Sequence, residues 1–161
     1  MIELILSVLL YAESPHVANQ QKIVVRRAIT QLKKETGVSI KPIFRREKKD
    51  PCVFKSLDDR VKCYGPIKGL VFSKPWRNRY YARYQGISFG LCNPRGGALV
   101  VIRPGVEKAH VLVLHELGHM LGATHLYDRS LMNPASLSFK ERLFFAPGSR
   151  AEIKSCMEKT L

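Results

Sequence analysis

Acidic side chains are scarce in this chain of 161 residues: 13 Asp and Glu stand against 27 Lys and Arg, a formal net charge of +14. The imbalance says nothing about fold. A field of that sign draws anions such as nucleic acid, acidic lipid or acidic polypeptide, or simply keeps the protein soluble. Nucleic acid is therefore admitted as a partner but not favoured. Apolar runs are too short to cross a bilayer, which excludes a membrane-spanning helix. No CxxC pair occurs among Cys52, Cys63, Cys92 and Cys156, which argues against a cysteine-built zinc site. There is no carboxylate-dense loop suited to calcium, no internal repeat and no low-complexity tract.

What remains is ordinary globular composition, 45% apolar and 25% charged, in a length that suits one domain, 1–161; the oligomeric state is open, with a monomer favoured. The four cysteines allow three pairings. Cys52 and Cys63 would bridge a loop in a secreted protein, whereas all four would be free thiols in a reducing compartment. Residues 2–12 (IELILSVLLYA) are apolar enough for a signal segment, but Glu3 stands where such a segment carries a base and the stretch is short. Their β-branched and aromatic content suits a buried strand. The strand is the reading adopted, and with it an intracellular rather than a secreted setting.

Further along, Val17–Glu35 is predicted to be an amphipathic helix with Ile23, Ala28, Ile29 and Leu32 inward, stopped at Gly37. Val38–Phe44 is an expected strand, pushed to an edge by Pro42. The polar stretch Arg45–Asp59 is expected to be loop. Strands are expected at 67–72, at Gly86–Cys92 and at Ala98–Ile102. Pro104-Gly105 opens a helix over Val106–Leu121 that is apolar almost all round, so it belongs inside the protein. A last helix is expected from Ser149 to about Lys159, with Ser149 and Glu152 spaced as a capping box.

The chemistry concentrates in His115-Glu116-Leu117-Gly118-His119-Met120-Leu121-Gly122-Ala123-Thr124-His125. Two His four apart share one helix face, and their imidazoles can hold one zinc ion at roughly 2.0–2.1 Å. Glu116 is turned by about 100° from His115, too far round to be a ligand but well set to take a proton from water at the metal. Gly122 can adopt a left-handed backbone and turn the chain so that His125 returns as the third ligand. Three neutral ligands leave a position open for a water whose pKa zinc can lower to about 7. Five matched positions at odds of ~1 in 20 each, over ~150 starting points, arise by chance on the order of 10⁻⁴ of the time, so coincidental histidines are a poor explanation.

This segment resembles the HExxHxxGxxH signature of the metzincin zinc metallopeptidases. That resemblance implies a zinc-dependent endopeptidase with one catalytic Zn²⁺, a polypeptide substrate and Glu116 as general base. It implies an α+β zincin-like fold: a mixed twisted sheet and two long helices in an upper lobe (about 1–122), and a short lower lobe (about 123–161) ending in a helix. Met132, in Ser130-Leu131-Met132-Asn133-Pro134, looks like the methionine of the turn beneath the metal. The short lower lobe is most like matrixins. HELGHMLGATH and the LMN of the turn are also similar to archaemetzincins, but the cysteines of their second zinc site are missing. Pro134 stands where astacins and serralysins carry a ligating Tyr, so no fifth protein ligand is expected. The family within the clan stays open.

By the same resemblance, Gly86, Ile87, Ser88 and Phe89 would form the sheet edge above the cleft, and Pro134 and Ala135 one wall of a specificity pocket. Asp128 is near enough in sequence to support a ligand histidine, although a solvated loop aspartate is the plainer expectation. The stretch Trp76–Tyr84 mixes bases with aromatics and suits either nucleobase stacking or a basic loop. The competing functional reading is a zinc-containing basic binding module, with little protease activity, for nucleic acid or acidic protein.

Overall fold

The computed structural model describes residues 3–53, 56–75 and 85–160; the Trp76–Tyr84 stretch lies outside them. Five strands form one mixed sheet: β1 (Glu3–Tyr11), β2 (Ser39–Glu47), β3 (Gly69–Ser73), β4 (Gln85–Ser88) and β5 (Gly97–Val101), in the order β2-β1-β3-β5-β4. β1 pairs in parallel with β2 and β3, β3 pairs in parallel with β5, and β4 runs antiparallel to β5 at the edge. The apolar segment near the start of the chain is thus an inner strand. Pro42 lies opposite Leu6 on the outermost strand β2, where a missing N–H is tolerated.

Alternation along the strands sends residues to two cores. Leu6, Val8, Leu10, Leu70, Phe72, Ala98 and Val100 face the main core with α1 (Pro15–Thr36) and α3 (Ala109–Met120). Val71, Leu99 and Val101 face the other way, against Leu57, Val61 and Tyr64 of α2 (Leu57–Tyr64). Parallel strands covered on both faces read as unbroken apolar runs, and both β3 and β5 are buried at every position.

α1 starts where the Ser14 hydroxyl accepts from the Val17 N–H and stops at Gly37, φ 78°, whose N–H donates to the Lys33 carbonyl. Its inward face is Ala18, Gln21, Val24, Val25, Ala28, Ile29 and Leu32. Ile23 is a correction: five residues before Ala28, it is rotated about 140° from it and lies 59% exposed. The expected loop over Arg45–Asp59 is also corrected. β2 continues to Glu47 and α2 begins at Leu57, capped by the Ser56 hydroxyl. Two disulfides, Cys52–Cys63 and Cys92–Cys156, use all four cysteines.

The lower lobe ends in α4 (Pro147–Thr160) and shares the main core through Leu131, Met132, Leu143, Phe145, Ile153 and Met157. The expected capping box does not form. Ser149 is buried within α4 with no hydrogen-bond partner for its Oγ. Glu152 instead accepts from the Thr124 hydroxyl at 2.9 Å. Among the described residues no helix is long and apolar enough to cross a membrane.

Candidate metal centre

α3 buries ten of its twelve residues, His115 and Glu116 among them. It begins at Lys108, which adopts φ 65° and sends its ammonium to the carbonyls of Phe139 and Glu141. At the other end the Ala123 N–H donates to the Gly118 carbonyl (2.8 Å) and the Gly122 N–H to that of His119 (3.0 Å). This is the pair of hydrogen bonds of a Schellman ending, with glycine in the left-handed position; Gly122 has φ +107°. The Cys92 and Asn93 N–H groups donate to the carbonyls of His119 and Met120, so the β4–β5 connection also satisfies the helix end.

This turn returns His125 to the helix. The three Nε2 atoms stand 3.2 Å (His115–His119), 3.0 Å (His119–His125) and 3.3 Å (His115–His125) apart. Tetrahedral bonds of roughly 2.0–2.1 Å to one ion impose N···N separations of about 3.3 Å, so the donor set fits a single zinc-sized ion. The other ring nitrogens are fixed by backbone: His115 Nδ1–H donates to the Leu131 carbonyl (2.9 Å) and His119 Nδ1–H to that of Ala123 (2.8 Å). Those bonds select the tautomer whose Nε2 lone pair is free for a metal. Burial, the main cause, and the neighbouring imidazoles pull His115 down to about 4; burial likewise lowers His119. Both shifts favour the neutral ring that a metal ligand requires.

Asp128, weighed as a possible support for a ligand histidine, serves its own loop instead: its Oδ1 accepts from the Ser130 N–H (3.0 Å) and hydroxyl. The supporting groups are main-chain carbonyls, which no side-chain motif advertises.

Glu116 lies beside the triad on a shallow cleft of about 330 Å³ lined also by Gly86, Ile87, Ser88, Gly90 and Leu91 with His119 and His125. Burial raises its pKa to about 7, opposed by a hydrogen bond from the Ser88 side chain, and its Oε2 has no partner. Gly86 lets the strand approach, since a Cβ there would stand 2.9 Å from both Cγ and Oε1 of Glu116. Gly118 does the same underneath: a Cβ would meet Met132 Sδ at 2.7 Å and Phe145 Cε1 at 3.0 Å. Met132 is wholly buried. Of the residues expected to meet substrate, Gly86, Ile87 and Ser88 line the cleft. Phe89, Pro134 and Ala135 do not, and β4 ends at Ser88 rather than Cys92.

The sequence matches no known protein-family model and no curated protein. The fold does have solved counterparts. The crystal structure of metalloproteinase-II from Bacteroides fragilis superposes with a TM-score of 0.58 at 15% identity, covering 96% of this chain and 53% of that one. This chain thus spans about half the length of that structure. At such identity the likeness establishes the fold. The chain thus combines a fold shared with a metalloproteinase and three histidines able to chelate one ion beside an open cleft.

Proposed function

We propose that the chain is a zinc-dependent endopeptidase, with the ion held by His115, His119 and His125 and Glu116 as general base. The observation that carries this reading is a juxtaposition: three Nε2 atoms within 3.3 Å of one another and a buried, unpartnered carboxylate oxygen on one open cleft. When bound, zinc supplies Lewis acidity, polarising a carbonyl and lowering the pKa of water to about 7. Glu116 then accepts the proton of the attacking water and hands it to the departing amine. Ser88 orients the Glu116 carboxylate. The edge strand β4, at the half-buried Gly86, Ile87 and Ser88, receives an extended peptide by main-chain hydrogen bonds. Met132, against Gly118, takes the part of the Met-turn residue, which supports a metzincin assignment.

The pairing of all four cysteines favours an oxidising compartment, and so a secreted setting over the intracellular one expected from the sequence. The test of the enzymatic reading is cleavage of a peptide library by zinc-loaded protein. Glu116→Gln should keep stoichiometric zinc and lose at least about 10²-fold in turnover. A Glu116→Gln protein that cleaves as fast as wild type removes Glu116 from this role.

A further inference from the structure

A second, larger groove, about 1000 Å³, has walls from α1, the start of α3, the 140–144 segment and the start of α4. It shares no residue with the metal cleft. Seven Lys and Arg side chains line it against only two Glu. One of those, Glu35, is already engaged: its Oε1 accepts from the Phe145 N–H (2.8 Å) and its Oε2 from Gln31 (2.8 Å). Gln31 also donates to the Leu143 carbonyl, so the groove wall is tied to α1 by specific bonds. Arg27, Lys34, Lys140 and Arg142 are exposed, and among the described residues none of them forms an ion pair.

Two further observations give the groove the character of a ligand site. The half-buried His110 lines it, with a buried Nδ1 that has no partner. After burial itself, the cations Arg27, Arg142 and Lys108 are what hold that imidazole below its ordinary pKa, a sign that their fields converge there. The groove is also apolar as well as basic. Ile23 (59% exposed) and Phe144 (45% exposed) open onto it, with Val111 and Leu143 behind them.

We propose that this groove docks an acidic polypeptide segment that carries apolar side chains, at a distance from the metal cleft. Charge complementarity supplies the carboxylates' half of the argument. Ile23 and Phe144 supply the other half, because a sulfated polysaccharide has no hydrocarbon side chains to cover them and a nucleic-acid backbone would leave them wet. An acidic-apolar peptide satisfies both surfaces at once, and a polypeptide bound there is tethered to the same molecule that carries the cleft. The proposal concerns binding, so it stands whether or not the metal centre cleaves peptides.

The test uses the full chain as its Glu116→Gln variant, so that no probe is consumed, in zinc-loaded and metal-free forms. A fluorescein-labelled peptide alternating Glu with Leu and Phe is titrated by anisotropy, beside poly-Glu, a heparin fragment and a single-stranded oligonucleotide. Binding of the Glu-Leu-Phe peptide should be tightest of the four and weaken with salt. It should fall about tenfold or more in Arg27→Glu/Arg142→Glu. It should also fall in Ile23→Ser/Phe144→Ser, which leaves poly-Glu binding unchanged. All four positions are exposed, and a thermal melt checks that each variant folds. The proposal is overturned if the peptide does not bind, or binds all variants alike. It is equally overturned if heparin or the oligonucleotide binds more tightly and is indifferent to Ile23→Ser/Phe144→Ser.

Discussion

At Gly86 a Cβ would press on the Glu116 carboxylate, the proposed base, 2.9 Å from its Oε1. Gly86→Ala should therefore leave the three histidines and zinc stoichiometry intact while cutting kcat/KM by about a hundredfold, the cost of displacing a reacting group by an ångström or so. Unchanged kcat/KM in Gly86→Ala would show that Glu116 has freedom the structure denies it. His110 offers a second residue-level check. Its folded pKa lies below the unfolded value of about 6.5, lowered by burial, Arg27, Arg142 and Lys108. The unfolded chain thus takes up that proton first, so the stability linked to it is complete above about pH 6.5. It is lost as pH falls from there through the folded pKa. In Arg27→Gln/Arg142→Gln, NMR titration of His110 should show its pKa move up toward 6.5, and an unmoved value would remove the guanidinium fields as a cause. At this scale the sequence was most legible where chemistry demands a residue type: His115, Glu116, His119, Gly122 and His125 are marked by spacing alone. The partners of the ring nitrogens are carbonyls of Leu131 and Ala123, and every residue has a carbonyl, so nothing in the letters singles them out.

Elements were legible in proportion to how much of their pattern is local. α3 is apolar all round and begins after Pro-Gly, and α1 carries Ser at one end and Gly at the other, so each was recognisable. α2 was not, because its eight residues have only Leu57, Val61 and Tyr64 to signal an apolar face, and these matter only once the outer face of the sheet exists to receive them. The Ser149–Glu152 spacing misled for a related reason. α4 starts earlier, at Pro147, and tertiary contact with Thr124 claims Glu152. The Cys92–Cys156 link spans 64 residues, and joins the connection that caps α3 to the helix packed under Gly122, where a Cβ would meet Cys156 Cβ at 2.7 Å. Cys92→Ala/Cys156→Ala should lower unfolding free energy by about 2–4 kcal/mol in denaturant titrations. It should also weaken zinc binding, because the turn that returns His125 loses its backing. A variant with wild-type stability and zinc affinity would make this link dispensable to the site.

For the whole molecule, the arrangement separates two surfaces on one frame. The sheet and α1 fix α3, whose C-terminal half carries the metal cleft while its first turn borders the basic groove. The positive charge legible in the composition had no address until folding brought α1, the 140–144 segment and α4 together, since Arg27, Lys140 and Arg142 are distant in sequence. The three histidines and Glu116, by contrast, are written in eleven consecutive residues, and the fold brings Gly86, Ile87, Ser88, Gly90 and Leu91 to line the cleft beside them. Everything in the functional account depends on one ion at the meeting point of three imidazoles. X-ray absorption at the zinc edge, on protein loaded with one equivalent, tests that most directly. Three nitrogen scatterers of imidazole type and one oxygen at about 2.0–2.1 Å, reduced to two imidazoles in His125→Ala, are the predicted result. Sulfur in the shell, or a spectrum unaltered by His125→Ala, would contradict it.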